Sequence, residues 1–362
     1  HRVILFSSND SCVIVIVYIF LIFVSTVIFI SHIYVKSEKV NKITAFLWVI
    51  MMTLFVGSQD GIGNDHANYI AQIKSPWATP QEPFTLFIFY IIRSCDLSVY
   101  VFFYIYAFLT YYFLYKVILL SDKSIRFIIV MMILQSLLFF QSFNLIRQIL
   151  ACAIFLYGIS LILNNKKGYW FLLLACLVHY SAFFGLLIVW IASKIRVSTV
   201  MLIVYIMSVA LLYTGGFIGD FISKYEFLIR MTYYGYYLDS SLINDDVAAN
   251  FGVVYKITFI LCLVVYTKRK FFKSNGQILL FNLFFVGQIL YNLSSANITI
   301  QRATYFPYFS MILVIPLLAK CFSPYWNSRL ALVLYSLYFL FISASLASQD
   351  CPYVPYKNII WN

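Results

Sequence analysis

CVIVIVYIFLIFVSTVIFISHIYV, the stretch from Cys12 to Val35, contains no Asp, Glu, Lys or Arg. A membrane-crossing helix needs about 20 mostly apolar residues, and a barrel strand about 10 that alternate in polarity. This stretch has the length of the first and none of the alternation of the second. It is also too long for the apolar core of a signal peptide, so it reads as a first membrane helix. The same texture recurs near 43–57, 98–118, 126–142, 145–163, 197–214, 251–267, 277–293, 303–322 and 330–347, which makes ten spans. Two further runs are ambiguous. The run 84–92 is too short to cross and reads as an interfacial helix started by Glu82-Pro83. The run 169–193 is interrupted at His179-Tyr180-Ser181 and either crosses once or folds back as a hairpin. The expectation is an all-α polytopic integral membrane protein, one membrane domain over 1–362, with about 10 to 12 transmembrane helices and a re-entrant helical hairpin.

Composition excludes the other classes. Of 362 residues, 63% are hydrophobic and 10% charged, and the mean hydropathy is +0.90. Soluble domains are roughly 45–50% apolar and about 25% charged. Disordered chains lack the aromatic residues that here include 36 Phe and 30 Tyr. Of the seven Cys, Cys12, Cys152, Cys176, Cys262 and Cys321 lie in apolar runs, and none has zinc-site or disulfide-framework spacing.

The net charge of +12 is a topology signal. With the 169–193 segment as an in-and-out hairpin, sixteen Lys and Arg fall on the cytoplasmic side against only Glu38 and Asp122. Everything else carries nine Lys and Arg against eleven acids, so the split is +14 against −2. Lys36, Lys39, Lys42, Lys166, Lys167, Lys194, Arg196 and the run Lys268 to Lys273 are then all inside, and both termini are outside. The basic residues are scattered over short loops and form no stripe that would follow a phosphate backbone, which argues against a nucleic-acid partner. Two loops stand out on the outer face: 58–97, and 215–250 with its tyrosine-rich segment Tyr225 to Tyr237 around Arg230.

An ionisable side chain in a span costs about 2.5–3.5 kcal/mol on insertion scales and needs a partner, a route to the surface, or a function. Arg147, within Asn144-Leu-Ile-Arg147-Gln148, opens its helix at the outer surface. It is either a snorkelling end-of-span residue or an anion ligand, because a guanidinium fork binds phosphate bidentately. Arg302, in Gln301-Arg302-Ala-Thr-Tyr305, repeats the arrangement, and the two arginines together form a candidate anion clamp. His179 is either a hydrogen-bonded structural residue or, as the one intramembrane histidine at an interruption, part of a cavity wall. Gly61-Ile-Gly63-Asn64-Asp65-His66-Ala-Asn68-Tyr69 fits an ordinary Gly or Asx turn. It is not a dinucleotide fingerprint, and Asp60, Asp65 and Glu82 lack metal-cage spacing, so neither a metal nor a cofactor is expected.

The order of these motifs, with Tyr69 after the Gly-Asp loop, Glu82-Pro83, LIRQILA at 145–151, VHYSA at 178–182 and QRATYF at 301–306, resembles the EpsG and Wzy-like O-antigen polymerase family from about residue 40 to 320. The resemblance implies a multi-pass glycosyltransferase of the bacterial inner membrane. Such an enzyme polymerises undecaprenyl-diphosphate-linked oligosaccharide repeat units at the periplasmic face, without a metal, beside a chain-length determinant (a polysaccharide co-polymerase) as partner. On that likeness Asp65, Arg147, Gln148, His179 and Arg302 match motif positions. Arg147 and Arg302 would stabilise the leaving diphosphate, and His179 or Asp65 would act as general base. Tyr69, Gln301, Tyr305 and Arg230 join Gln148 as substrate-binding candidates. A polyprenyl-linked oligosaccharide flippase would also place arginines in a cavity but should show internal repeats, and none is apparent. A membrane acyltransferase acting on surface sugars would also use an intramembrane His, but no second His lies nearby in sequence to support it.

Overall fold

The computed structural model describes residues 8–135, 137–195, 198–214, 253–294, 298–320, 353 and 356–360. The described chain is helical, its one non-helical pairing being an isolated antiparallel bridge between Gln59 and Asn358. In order the helices are α1 (Ser8–Tyr34), α2 (Glu38–Gly57), α3 (His66–Lys74), α4 (Pro83–Ser94), α5 (Tyr100–Leu120), α6 (Lys123–Gln135), α7 (Leu137–Gln141), α8 (Ile146–Leu163), α9 (Tyr169–Val178), α10 (Ala182–Lys194) and α11 (Thr199–Thr214). They continue as α12 (Val253–Thr267), α13 (Asn275–Leu293), α14 (Ile298–Ala303), α15 (Tyr305–Tyr308) and α16 (Met311–Ala319). Helices are the expected answer for such a chain, because in lipid each backbone N–H and C=O must find its partner within its own segment.

Among the described residues five helices are long and apolar enough to cross a membrane: α1, α2, α5, α8 and α13. Shorter apolar helices stand at 83–94, 169–178, 182–194, 199–211, 258–267 and 305–319. One expected span is in pieces: 303–322 falls among α14, α15 and α16. Pro307 in α15 and Pro316 inside α16 bring backbone that cannot donate a helical hydrogen bond. The expected span 330–347 and the loop 215–250 lie outside the described residues.

Local chemistry sets the ends. Ser37 caps α2 by accepting from the Val40 N–H at 3.4 Å. Ser274 and Gln277 form a reciprocal capping box at α13. The interruption at 179–181 is real: His179 is extended, at φ −153° and ψ 122°, and closes α9. At 10 residues α9 rises only about 15 Å, half of a hydrocarbon core.

The chain divides into two compact units, residues 1–180 with 315–362, and residues 181–314. In the first, α2 packs on α1 and α5, α5 on α8, α8 on α9, and α1 on α6. Trp48 of α2 is fully buried, edge-on to Phe29 and Tyr111. Its Nε1 donates to Ser25 Oγ at 3.0 Å. α8 and α9 meet at glycines, since a Cβ on Gly168 would overlap the Gly158 carbonyl. At one end of this unit Glu38 pairs with Lys123 at 2.9 Å, Lys123 also donates to the Val35 and Lys36 carbonyls, and Lys320 pairs with Asp122. These are loops that the charge pattern groups on the cytoplasmic side.

His179 is not the one intramembrane histidine. His32 lies in the last turn of α1, fully buried, bonded through Nε2 to Thr44 Oγ1 at 2.9 Å. The sequence reading passed over it because it falls inside the defining apolar run.

In the second unit α13 packs on α10, α11 and α15. Polar side chains tie these helices: Asn282 Nδ2 donates to the Ala192 and Ile195 carbonyls, and Asn292 Nδ2 donates to Ser208 Oγ at 3.1 Å. Gly287 of α13 lies against the Pro307 backbone, where a Cβ would sit 2.6 Å from its carbonyl carbon.

Candidate functional site

The site belongs to the first unit and starts where α2 ends. Gly61 and Gly63 take φ of +66° and +77°, a conformation that L side chains avoid. Gly63 has a second reason to be glycine, because a Cβ there would press on Asn144 at 3.2 Å. Asn144 Oδ1 accepts the Asp65 N–H at 2.9 Å, tying the loop to the turn before α8. His66 Nδ1 accepts the Gly61 N–H at 3.2 Å, and its ring stacks on Phe103 at 4.5 Å. α3 then carries Tyr69 into the interior, where the Arg147 guanidinium lies over its ring at 5.5 Å from the centroid.

Arg93 closes the next turn with one guanidinium. Its Nε donates to the Ile73 carbonyl at 3.0 Å, and its Nη2 to those of Gln72, Ser75 and Ala78 at 2.6 to 2.9 Å. Three of these carbonyls lie at or just past the end of α3, where an arginine satisfies orphaned acceptors. The chain next reaches Glu82, the N-cap of α4, with Pro83 fixing the first helical φ. Tyr180 Oη donates to the Gln81 carbonyl at 2.7 Å. Below, Thr85 and Tyr106 share a hydrogen bond at 2.8 Å.

Held this way, the Glu82 carboxylate joins two motifs 65 and 97 residues away. Oε2 accepts from Arg147 Nη1 at 2.7 Å, and Oε1 meets His179 Nδ1 at 3.0 Å. Glu82 is only 8% exposed. Burial alone would push its carboxyl pKa up, but the His179 hydrogen bond and the Arg147 charge outweigh it and hold the group below its ordinary value. Glu82 is therefore ionised at neutral pH. Burial raises the Tyr69 hydroxyl, so that ring stays neutral beneath the guanidinium.

Two features give this cluster chemical capacity. His179 Nδ1 faces a carboxylate, which fixes the tautomer with Nδ1–H and leaves the Nε2 lone pair as the basic position. Among the described residues Arg147 Nε is buried without a hydrogen-bond partner. A buried charged donor in that state is a place for an acceptor oxygen to bind.

Of the residues singled out from sequence, Arg147, His179 and Tyr69 come together here. Asp65 stands at the start of α3, near enough to act on the Tyr69 hydroxyl, and Gln148 is buried beside Arg147. Arg302, Gln301 and Tyr305 belong to the second unit. Arg302 is in the last turn of the six-residue α14 and does not open a long helix. Gln301 gives its carbonyl to Thr304 Oγ1, and Tyr305 packs on Phe309 at 5.3 Å. Arg230 lies outside the described residues. Glu82 was read from sequence only as a helix start. The signal was present, since an acid immediately before an apolar run needs a partner as much as Arg147 does.

Among the described residues no group of three His, Cys, Asp or Glu side chains is arranged to hold a metal ion. The EpsG family model matches residues 42–358. No curated protein and no solved structure matches the chain.

Proposed function

Because the chain belongs to the EpsG family, a family of membrane proteins of polysaccharide biosynthesis, we propose that it is a glycosyltransferase that joins polyprenyl-diphosphate-linked oligosaccharide repeat units. The reading places it in the bacterial inner membrane, as an O-antigen or surface-polysaccharide polymerase whose site faces the periplasm. The observation that carries it is the single Glu82 carboxylate shared by Arg147 and His179 at 2.7 and 3.0 Å.

The proposed chemistry follows from that sharing. An acceptor sugar hydroxyl attacks the anomeric carbon of the lipid-linked donor, a new C–O bond forms there, and the bond to the diphosphate oxygen breaks. His179 takes the hydroxyl proton on Nε2, and Glu82 stabilises the resulting imidazolium through Nδ1. The leaving diphosphate gains negative charge, which Arg147 meets with the fork not engaged by Glu82. In this scheme Asp65 shapes the loop, while His179 serves as the base. Neither a metal nor a cofactor takes part. The substrate is undecaprenyl-diphosphate-linked oligosaccharide, presented from the lipid bilayer, and a chain-length determinant protein is the expected partner.

The test is the glycan banding of a strain carrying His179→Gln at normal membrane abundance. A general base contributes about 10²–10⁴-fold to rate, so the ladder should disappear while single-repeat product remains. Long chains made by this variant would remove His179 from the chemistry. Loss of the single-repeat product as well would point to the flippase.

A further inference from the structure

Residues 356–360 lie against the root of the site loop, about three hundred positions away in sequence. The Tyr356 ring stacks on Phe55 of α2, with centroids 4.3 Å apart and planes 4° apart, and stands edge-on to Tyr18 of α1 at 5.9 Å. Its hydroxyl donates to the Phe55 carbonyl at 2.6 Å and lies 3.3 Å from Ser58 Oγ. Backbone bonds follow on both sides of the Gln59–Asn358 bridge. The Asp60 N–H donates to the Lys357 carbonyl at 3.0 Å, and the Ile359 N–H to the Ser58 carbonyl at 2.9 Å. Tyr18 Oη adds a bond to the Tyr353 carbonyl at 2.7 Å.

The stretch thus gripped, 58–60, is where the chain leaves α2 and loses helical partners for its backbone. Polar backbone near an apolar bundle must be paired, and here the partners come from the distant segment. The grip is passed on. Asp60 Oδ1 accepts from Tyr100 Oη at 2.9 Å, the Gly61 N–H reaches His66, and His66 begins the helix that seats Tyr69 beneath Arg147.

We propose that residues 356–360 are a positioning strap for the site: by pairing with 58–60 they fix the exit of α2 and, through it, the placement of α3 and Tyr69 against Arg147. The strap touches no reacting atom. Its effect on turnover rests on the polymerase reading above, whereas its hold on the loop does not.

The experiment uses the full chain in lipid nanodiscs, measuring amide exchange together with kinetics on lipid-linked repeat units. Ile359→Pro deletes the N–H that bonds Ser58, and Ile359→Ala keeps it. The proline variant should speed exchange across 59–66, leave α8 protected, and lower kcat/KM by about 10- to 100-fold, the scale of an ångström misplacement. The alanine variant should do none of these. Tyr356→Ala should follow the proline variant, and Tyr356→Phe, which keeps the ring stack, should recover part of the loss. Unchanged exchange in 59–66 with Ile359→Pro overturns the strap whatever the activity. Faster exchange with full kcat/KM overturns its positioning role. A wild-type chain that makes no polymer removes the polymerase reading alone, and the exchange arm still decides the strap.

Discussion

Glu82 Oε1 and Oε2 serve different partners, so its two nearest substitutions separate charge from geometry. Glu82→Gln keeps an acceptor for His179 Nδ1 but leaves the Arg147 charge uncompensated in a largely buried place. A group in that state costs about 1–3 kcal/mol, and the purified variant should melt earlier by a margin of that size. The pH dependence follows from the depressed carboxyl. Its contribution is present above the ordinary value of 4.5 and is lost as pH falls through the lower folded value. The melting difference between wild type and Glu82→Gln should therefore persist at mildly acidic pH and close only below the ordinary carboxylate range. Closure already near neutral pH would mean that the ion pair is not what stabilises the site.

Arg147→Lys keeps a cation that Glu82 can pair with and loses the planar fork. If Nη1 holds Glu82 while Nε is kept for substrate oxygen, a lysine cannot do both. Polymerisation should fall by about 100-fold or more although the protein still accumulates in the membrane. Full chains made by this variant would return Arg147 to a snorkelling role.

At the scale of elements, the decisive contact is between α8, which carries Arg147, and α9, which ends at His179. Their glycines let the two backbones touch, and Gly158 would also meet Leu172 if it had a side chain. Gly168→Ala must push α9 away from α8 and with it carry His179 from Glu82. We expect reduced stability and a loss of activity that Gly168→Ser does not rescue, read by thermal melting and by the glycan ladder. A fully active Gly168→Ala chain would show that the close approach is not needed to set the histidine. None of this was legible from sequence beyond the presence of glycines, because α8 and α9 carry no polar pattern that marks which faces meet.

For the whole molecule, the charge split predicts sidedness. In a background with the seven native cysteines replaced, cysteines placed at Lys167 and Lys194 should resist reagents confined to the outer face. Cysteines at Trp77 and Ser240 should react. Outside labelling of Lys167→Cys or Lys194→Cys would break the proposed hairpin topology.

The sequence by itself determined the solvent in which this chain folds and the type of its elements, because apolar run length and the need to pair every backbone group admit only helices. It also marked Arg147 and His179, since a polar side chain is conspicuous against apolar surroundings, and named Tyr69 through the family resemblance alone. What it left undecided was their assembly. Glu82 is an ordinary helix-starting acid until α4, α8 and α9 pack, and residues 356–360 are an ordinary polar segment until they meet 58–60. Only the tertiary structure decided both, because hydrogen bonds between residues 65, 97 and about 300 positions apart follow from which helix faces pack, and apolar faces of this kind carry no periodic mark to say so.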